Sequence, residues 1–297
     1  MLPQSVLFAV LGIAVISPAL AETHFYGQLQ LNIVSLDPDD ASYQAIRDEG
    51  SFFGIRGLQT LKPDLYATYI VEAGAHREDK ADLLGETRQA WVGLRGRLGE
   101  IRAGRQFSPT RVSSERIDLF SGQQGDYNTI LETDLIYPAS LTYINRTGAL
   151  DFALTFARKD DDDHADMVAS YSSGDYFAAL GLLKQQHGFS VKRLSAGYQP
   201  ATGHRLGIAM EQKSGADGYD AVLVNAGYHH DKTLYKLQAG RNHAHTGGRN
   251  EDMYAIGVDY DLGRKAQLHL EHSRNDHRDH SRNDRQSSYS IGWSWHF

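Results

Sequence analysis

The sequence predicts an all-β protein, a transmembrane antiparallel β-barrel of about sixteen strands. Three observations predict it. The stretch Gln286–Phe297 places Tyr289, Ile291, Trp293, Trp295 and Phe297 in one phase of a two-residue period and Ser288, Ser290, Gly292, Ser294 and His296 in the other. One face of such a strand is aromatic and the other small and polar, which a wall needs when lipid lies on one side and water on the other. Segments with the same alternation recur along the 297 residues, divided in turn by tight connections and polar breaks. The chain is also only 41% hydrophobic, and beyond its first residues no run approaches the roughly eighteen apolar residues of a spanning helix. That excludes a helical membrane protein and leaves a barrel, because only alternate residues of each strand meet lipid.

The elements follow in order. Met1 to Ala21 is an apolar run ending Ala19-Leu20-Ala21, which reads as a leader with its cleavage site, although no Lys or Arg precedes the apolar residues. The expected organisation is therefore an export signal over 1–21 and one barrel domain over 22–297. The first strand sets Phe25, Gly27, Leu29, Leu31 and Ile33 against Tyr26, Gln28, Gln30 and Asn32. Ser51 to Gln59 follows, with Phe53 and Ile55 opposing Arg56. Pro63, which has no N–H for a ladder, marks a tight turn before Leu65 to Ala73, where Leu65, Ala67, Tyr69 and Val71 oppose Glu72. Glu86 to Gly96 and Gly99 to Gln106 pair across Arg97-Leu98. The longest break, Phe107 to Pro138, opens on Pro109 and is too long for a turn, which marks it as functional. Tight connections are then expected at Thr147-Gly148, Ser173-Gly174, Pro200 to Gly203, His230-Asp231 and Asp261 to Gly263. Polar loops are expected at Lys159 to His164, Lys184 to Gly188, Lys213 to Gly218, Asn242 to Glu251 and Arg274 to Arg285. An even count near sixteen encloses an aqueous channel rather than a packed interior.

Four motifs carry a family resemblance. Ser51-Phe-Phe-Gly-Ile-Arg-Gly57, Arg88-Gln-Ala-Trp-Val-Gly-Leu94, Arg102-Ala-Gly-Arg-Gln-Phe-Ser-Pro109 and Gly125-Asp-Tyr-Asn128 resemble, in this order and spacing, the second strand, fourth strand, fifth strand and third loop of proteobacterial general-diffusion porins. The resemblance covers the mature chain, and Phe297 matches the aromatic end that the outer-membrane assembly machinery reads as a signal. It implies a homotrimer in the bacterial outer membrane, in contact with lipid and lipopolysaccharide. It also implies short periplasmic turns and a third loop folded into the pore as a constriction. Passive diffusion of small hydrophilic solutes and ions is the implied function. Arg56, Arg88 and Arg105 match basic wall positions, and the acidic groups expected opposite them on the loop are Glu115, Asp118, Asp126, Glu132 and Asp134. Glu72 is the expected acidic wall residue. An arginine facing lipid at mid-membrane would cost about 2–4 kcal/mol, so each belongs on the water side; a solvated rim position is the alternative for Arg88 and Arg105. Phe52 and Thr142 stand where the family usually has basic residues, which leaves the wall less basic.

Other chemistries fit the sequence less well. The net charge of −7 does not suit a nucleic-acid binder, and the chain has no cysteine. His243 with His245, His269 with Glu271, and His277 with His280 repeat no closed ligand set, so neither metal nor cofactor is expected. Asp160-Asp-Asp-Asp163 reads as a solvated acidic loop, with cation-bridged lipopolysaccharide as its alternative. No Gly-x-Ser-x-Gly or catalytic His motif points to an enzyme. A substrate-selective channel of the same fold is the alternative function, and a structural or adhesive barrel is the other class weighed.

Overall fold

A computed structural model describes residues 21–38, 43–48, 50–75, 85–245, 250–278 and 283–297. Residues 1–20 of the expected leader, and His280, lie outside them. The first half holds β1 (Ala21–Pro38), the short β2 (Tyr43–Arg47), β3 (Phe52–Lys62), β4 (Leu65–Gly74), β5 (Thr87–Gly96) and β6 (Gly99–Phe107). A helix α1 (Pro109–Glu115) opens the long inward segment, which returns to the wall at β7 (Ile136–Thr147). There follow β8 (Leu150–Lys159), β9 (Asp162–Ser173), β10 (Tyr176–Gln185), β11 (Ser190–Tyr198) and β12 (Arg205–Ser214). The wall ends with β13 (Tyr219–His230), β14 (Thr233–Ala244), β15 (Asn250–Gly263), β16 (Ala266–Arg278) and β17 (Asn283–His296).

Each strand pairs antiparallel with its neighbours, and β1 closes the ring. One edge of β1 takes β17, from Gln28 opposite His296 to Pro38 opposite Gln286. The other edge takes β3 along Ala21 to Gln28 and β2 along Asn32 to Leu36. Setting aside β2, which belongs to the first loop, sixteen strands form the wall. A closed ring leaves no open ladder edge, so every strand satisfies its backbone within the sheet.

Alternation decides which way each strand faces. Phe25, Leu29, Leu31 and Ile33 are exposed on the outer face of β1, whereas Gln30 and Asn32 are buried on the inner one. On β17, Tyr289, Ile291 and Trp295 face outward, and Ser288, Ser290 and Ser294 are buried inside. The outer surface is thus apolar over its middle, and transfer into lipid removes that surface from water at about 25 cal/mol per Å². Phe297 seals the junction: its N–H donates to the Gly27 carbonyl at 3.1 Å, and its ring stacks on Phe25 with centroids 5.3 Å apart. A Cβ on Gly27 would lie 2.5 Å from the Phe52 carbonyl oxygen and 2.6 Å from that ring, and the backbone contact makes glycine necessary.

The tight turns fall where Gly and Asp tolerate positive φ, as at Asp64, Gly148, Gly174 and Asp231. The opposite connections are shorter than the sequence pattern suggests. Asp160 and Asp161 both take positive φ, 53° and 61°, in a two-residue hairpin turn; Asp162 and Asp163 belong to β9. The expected acidic loop is therefore a turn. His243 and His277 likewise lie in β14 and β16, where strands extend beyond the apolar band, and His245 follows β14 directly. Polar residues there misled the loop boundaries because a strand projecting into water needs no apolar face. The expected turn at Asp261 to Gly263 falls at Arg264 and Lys265 instead.

Candidate functional site

The long segment after β6 does not leave the barrel. Ser108 caps α1 by accepting the N–H of Arg111 at 3.1 Å, and Pro109 occupies the first turn, where its missing N–H costs nothing. From α1 the segment runs along the inner face of the wall. Ile117, Tyr127, Ile130 and Leu131 bury themselves against Phe177, Ala209, Tyr219, Leu223 and Met253, a small core inside the lumen.

Polar wall residues hold the rest. The guanidinium of Arg193 on β11, wholly buried, pairs with Glu211 of β12 and donates to the Thr133 carbonyl at 2.8 Å, Ser114 Oγ at 3.1 Å and the Thr110 carbonyl at 3.3 Å. Lys236 on β14 pairs with Asp259 at 2.8 Å and donates to the Leu119 carbonyl at 2.8 Å and Gln123 Oε1 at 3.0 Å. Glu271 on β16 accepts the N–H groups of Gln124 and Gly125 at 3.1 and 2.6 Å. Asp166 on β9 takes the Thr110 hydroxyl at 2.6 Å, and Gln30 on β1 donates to the Gly122 carbonyl at 2.6 Å. The loop therefore backs onto strands β9 to β16 and β1, and the water-filled gap lies between it and β3 to β5.

That gap is a cavity of about 360 Å³. Phe52, Glu72 and Arg88 line it from the wall, and Arg111, Glu115, Asp118 and Asp126 line it from the loop. Glu72 accepts Arg88 Nε at 2.6 Å and the Tyr26 hydroxyl at 2.8 Å. Arg88 lies 4.7 Å over the Phe52 ring, so the residue that replaces a family arginine supports another arginine instead. Arg56 lies 4.7 Å over Tyr26, and no carboxylate among the described residues is within ion-pair distance of it.

Four expected positions need correction. Arg105 pairs with Ala90 on the face opposite the inward Trp91, in phase with the exposed Ile101 and Ala103, and its Nε donates to the Thr87 carbonyl. It is on the outer face near the rim; the inward arginine of β6 is Arg102. Glu115 and Asp134 do not face the wall unpaired, because both pair with the loop's own Arg111, at 3.1 and 2.7 Å. Sequence reading assigned the loop only acids, and the spacing of Arg111 and Glu115 at i and i+4 of a helix was the signal for this pair. Glu132 turns to Asn242 of β14 at 3.2 Å, away from the cavity.

Asp118 and Asp126 remain as the acids of the gap not paired with an arginine. Burial, then the nearby charge of Asp126, pushes the Asp118 carboxyl well above the usual carboxylate range. Asp118 Oδ2 is buried without a hydrogen-bond partner. Burial raises Asp126 to about 6, although it accepts the Gly122 and Asn128 N–H groups at 2.9 Å each.

A closed sixteen-strand wall, apolar outside, with an inward loop that narrows a charged aqueous gap, defines a channel of the porin class. The sequence profile of the Gram-negative porin family matches residues 7–280, and the chain belongs to that family. Outer membrane porin protein 32 of Delftia acidovorans is 24% identical over 91% of this chain and 79% of its own. Major outer membrane protein P.IB of Neisseria gonorrhoeae is 25% identical over 76% of this chain and 71% of its own. Among solved structures, an anion-selective porin from Comamonas acidovorans superposes with TM-score 0.81 at 17% identity, over 93% of this chain and all of that one. OmpT of Vibrio cholerae, in trimer form, superposes at 0.72 with 16% identity, over 94% and 100%. The protein is an outer-membrane porin, a general channel for passive diffusion.

Proposed function

We propose that this porin passes small hydrophilic solutes and ions without catalysis, with a mild preference for cations set at the gap between the long loop and β3 to β5. The carrying observation is the charge around that gap. In its lining Arg88 and Arg111 meet Glu72, Glu115, Asp118 and Asp126, two guanidinium groups against four carboxylates, and Arg56 stands beside it over Tyr26. The excess is two negative charges when all are ionised. Opposed charges across a narrow aqueous gap also set a transverse field, in which a polar solute aligns its dipole.

Reversal potential in a salt gradient tests this reading. Arg56→Gln should deepen cation preference, whereas Arg105→Gln, on the outer face, should leave it unchanged. Lowering pH from 8 to 5 protonates Asp126, raised to about 6, and Asp118 too takes up its proton at higher pH than an ordinary carboxylate, so cation preference should decline across that window. Asp118→Asn with Asp126→Asn should reproduce the low-pH value at pH 8 and flatten the pH profile. Preference should also weaken as salt rises, since the Debye length falls from ~10 Å at 0.1 M to ~3 Å at 1 M. A pH-independent potential in the wild type would remove these two acids from the conduction path.

We also propose a homotrimer packed through the early strands and the last, where Phe25, Leu29, Leu31 and Ile291 are exposed and Trp293 shares their phase. Support comes from this apolar outer face and from the trimer form of the OmpT neighbour. Unheated gels should show a species of three chains that heat converts to one; only monomer in several detergents would refute it.

A further inference from the structure

A second lumen cavity, of about 330 Å³, lies on the other side of α1 from the charged gap, toward the tight β7–β8 turn, and Phe107 lines both. One part of its wall is apolar. Ile144 of β7, Val168 of β9 and Phe177 of β10 reach it from the barrel, and Val112 reaches it from the exposed face of α1. A porin lumen is otherwise polar, so an apolar patch facing its water is informative in the way a buried charge is.

Cations rim this patch. Arg102 lies 4.1 Å over Trp91 and shares Glu100, at 2.9 Å, with Arg95 at 2.8 Å, and Arg146 reaches Asp151 at 3.4 Å. Arg116 differs. Its guanidinium lies 4.1 Å over the Phe177 ring and donates to Ser172 Oγ at 3.0 Å, with no carboxylate among the described residues at ion-pair distance. The stacked ring and the serine fix the group in place while leaving its remaining N–H donors toward the cavity, the planar fork that suits a carboxylate.

We infer that this cavity is a binding site for amphipathic organic monoanions, an aromatic or short aliphatic carboxylate whose charge meets Arg116 and whose hydrocarbon lies on Val112, Ile144 and Val168. A guanidinium with no carboxylate at ion-pair distance among the described residues, beside an apolar wall, matches one carboxylate on an apolar body. The inference rests on the open channel proposed above, and it adds a stop on the path of a particular solute class. Neither a fully hydrated inorganic anion nor a neutral aromatic satisfies both halves of the site.

The experiment uses refolded full-length porin in planar bilayers, with benzoate as probe and acetate and benzyl alcohol as half-matched controls. Benzoate should interrupt the potassium chloride current, at lower concentration when added on the side of the tight turns. Acetate and benzyl alcohol should need about tenfold more, since each loses one half of the contact. Arg116→Gln should raise the half-blocking benzoate concentration by about tenfold or more, Arg116→Lys should restore part of it, and Val112→Asn should weaken benzoate without changing acetate. Heat-modifiable migration on gels checks that each variant is folded. Quenching of intrinsic tryptophan fluorescence, through Trp91 beneath Arg102, gives a second reading in detergent for any variant that fails to insert. Equal potency of benzoate and acetate, or an unshifted Arg116→Gln, would overturn the site. Absence of any chloride current would instead indict the channel itself.

Discussion

Replacing Arg193 with Met is expected to release the constriction and to lower barrel stability by about 3–5 kcal/mol, the usual cost of leaving one partner of a buried ion pair alone. Arg193 is wholly buried, and its removal strands Glu211, which among the described residues has only the Tyr219 hydroxyl left to hold it. It also deletes the donors to Thr110, Ser114 and Thr133 at once, so both ends of the inward loop lose a shared tie to the wall, and Asp166 and Tyr219 are left to hold Thr110 and Thr133. The buried contacts of Ile117, Ile130 and Leu131 remain, which should keep the loop inside but mobile. The expected record is a noisier open channel and a lower temperature of the heat-modifiable gel transition. The double variant Arg193→Met with Glu211→Leu removes the stranded charge and should recover much of the stability while keeping the noise. Quiet openings in the single variant would mean that the loop is held by its other wall contacts without Arg193.

Deleting Phe297 is expected to lower the amount of assembled barrel severalfold while synthesis continues. We propose a double role for this residue, as the aromatic signal read during outer-membrane insertion and as the seal between β1 and β17. Without it Gly27 loses two backbone hydrogen bonds, and Phe25 and Trp295 lose their aromatic neighbour. Phe297→Tyr keeps ring and backbone and should assemble normally; Phe297→Ala keeps the backbone bonds and should fall between. Surface protease sensitivity and membrane fractionation read the outcome. Wild-type levels of the truncated chain would show that neither role limits assembly.

Much of the fold was legible because lipid imposes one rule on every strand. The alternation of Leu29, Leu31 and Ile33 against Gln30 and Asn32, or of Trp293 and Trp295 against Ser294, states which face meets hydrocarbon. Strand ends were less legible, since beyond the apolar band residues such as His243, His277 and Asp162 obey no such rule. In the site, Arg56 and Glu72 could be placed by phase alone, whereas Arg88 shares the phase of the outward Val92 and Leu94 and turns inward only because a register shift opposite Glu72 and Ala73 skips it. Arg105 was placed inside by its motif match, although its phase, shared with the exposed Ile101 and Ala103, and its pairing with Ala90 put it on the outer face. The loop's wall contacts were invisible, because Arg193, Lys236 and Glu271 are scattered on three strands and read as ordinary luminal charges until the segment is laid across them. Arg111 was overlooked for the same reason, since a cation among acids looks solvated until its partners are seen at 2.7 and 3.1 Å.

The central claim is that solutes cross this porin through the gap between the inward loop and β3 to β5. The chain contains no cysteine, so a single one introduced by Ser121→Cys, exposed at the cavity wall, is a unique handle. Adding a bulky, negatively charged thiol-reactive methanethiosulfonate to single channels of that variant should lower conductance in discrete steps, one for each pore modified. It should deepen cation preference with each step, and reduction should reverse both effects. Wild-type channels should ignore the reagent. Modification confirmed by mass with conductance and selectivity unchanged would place the conducting path elsewhere and contradict the account.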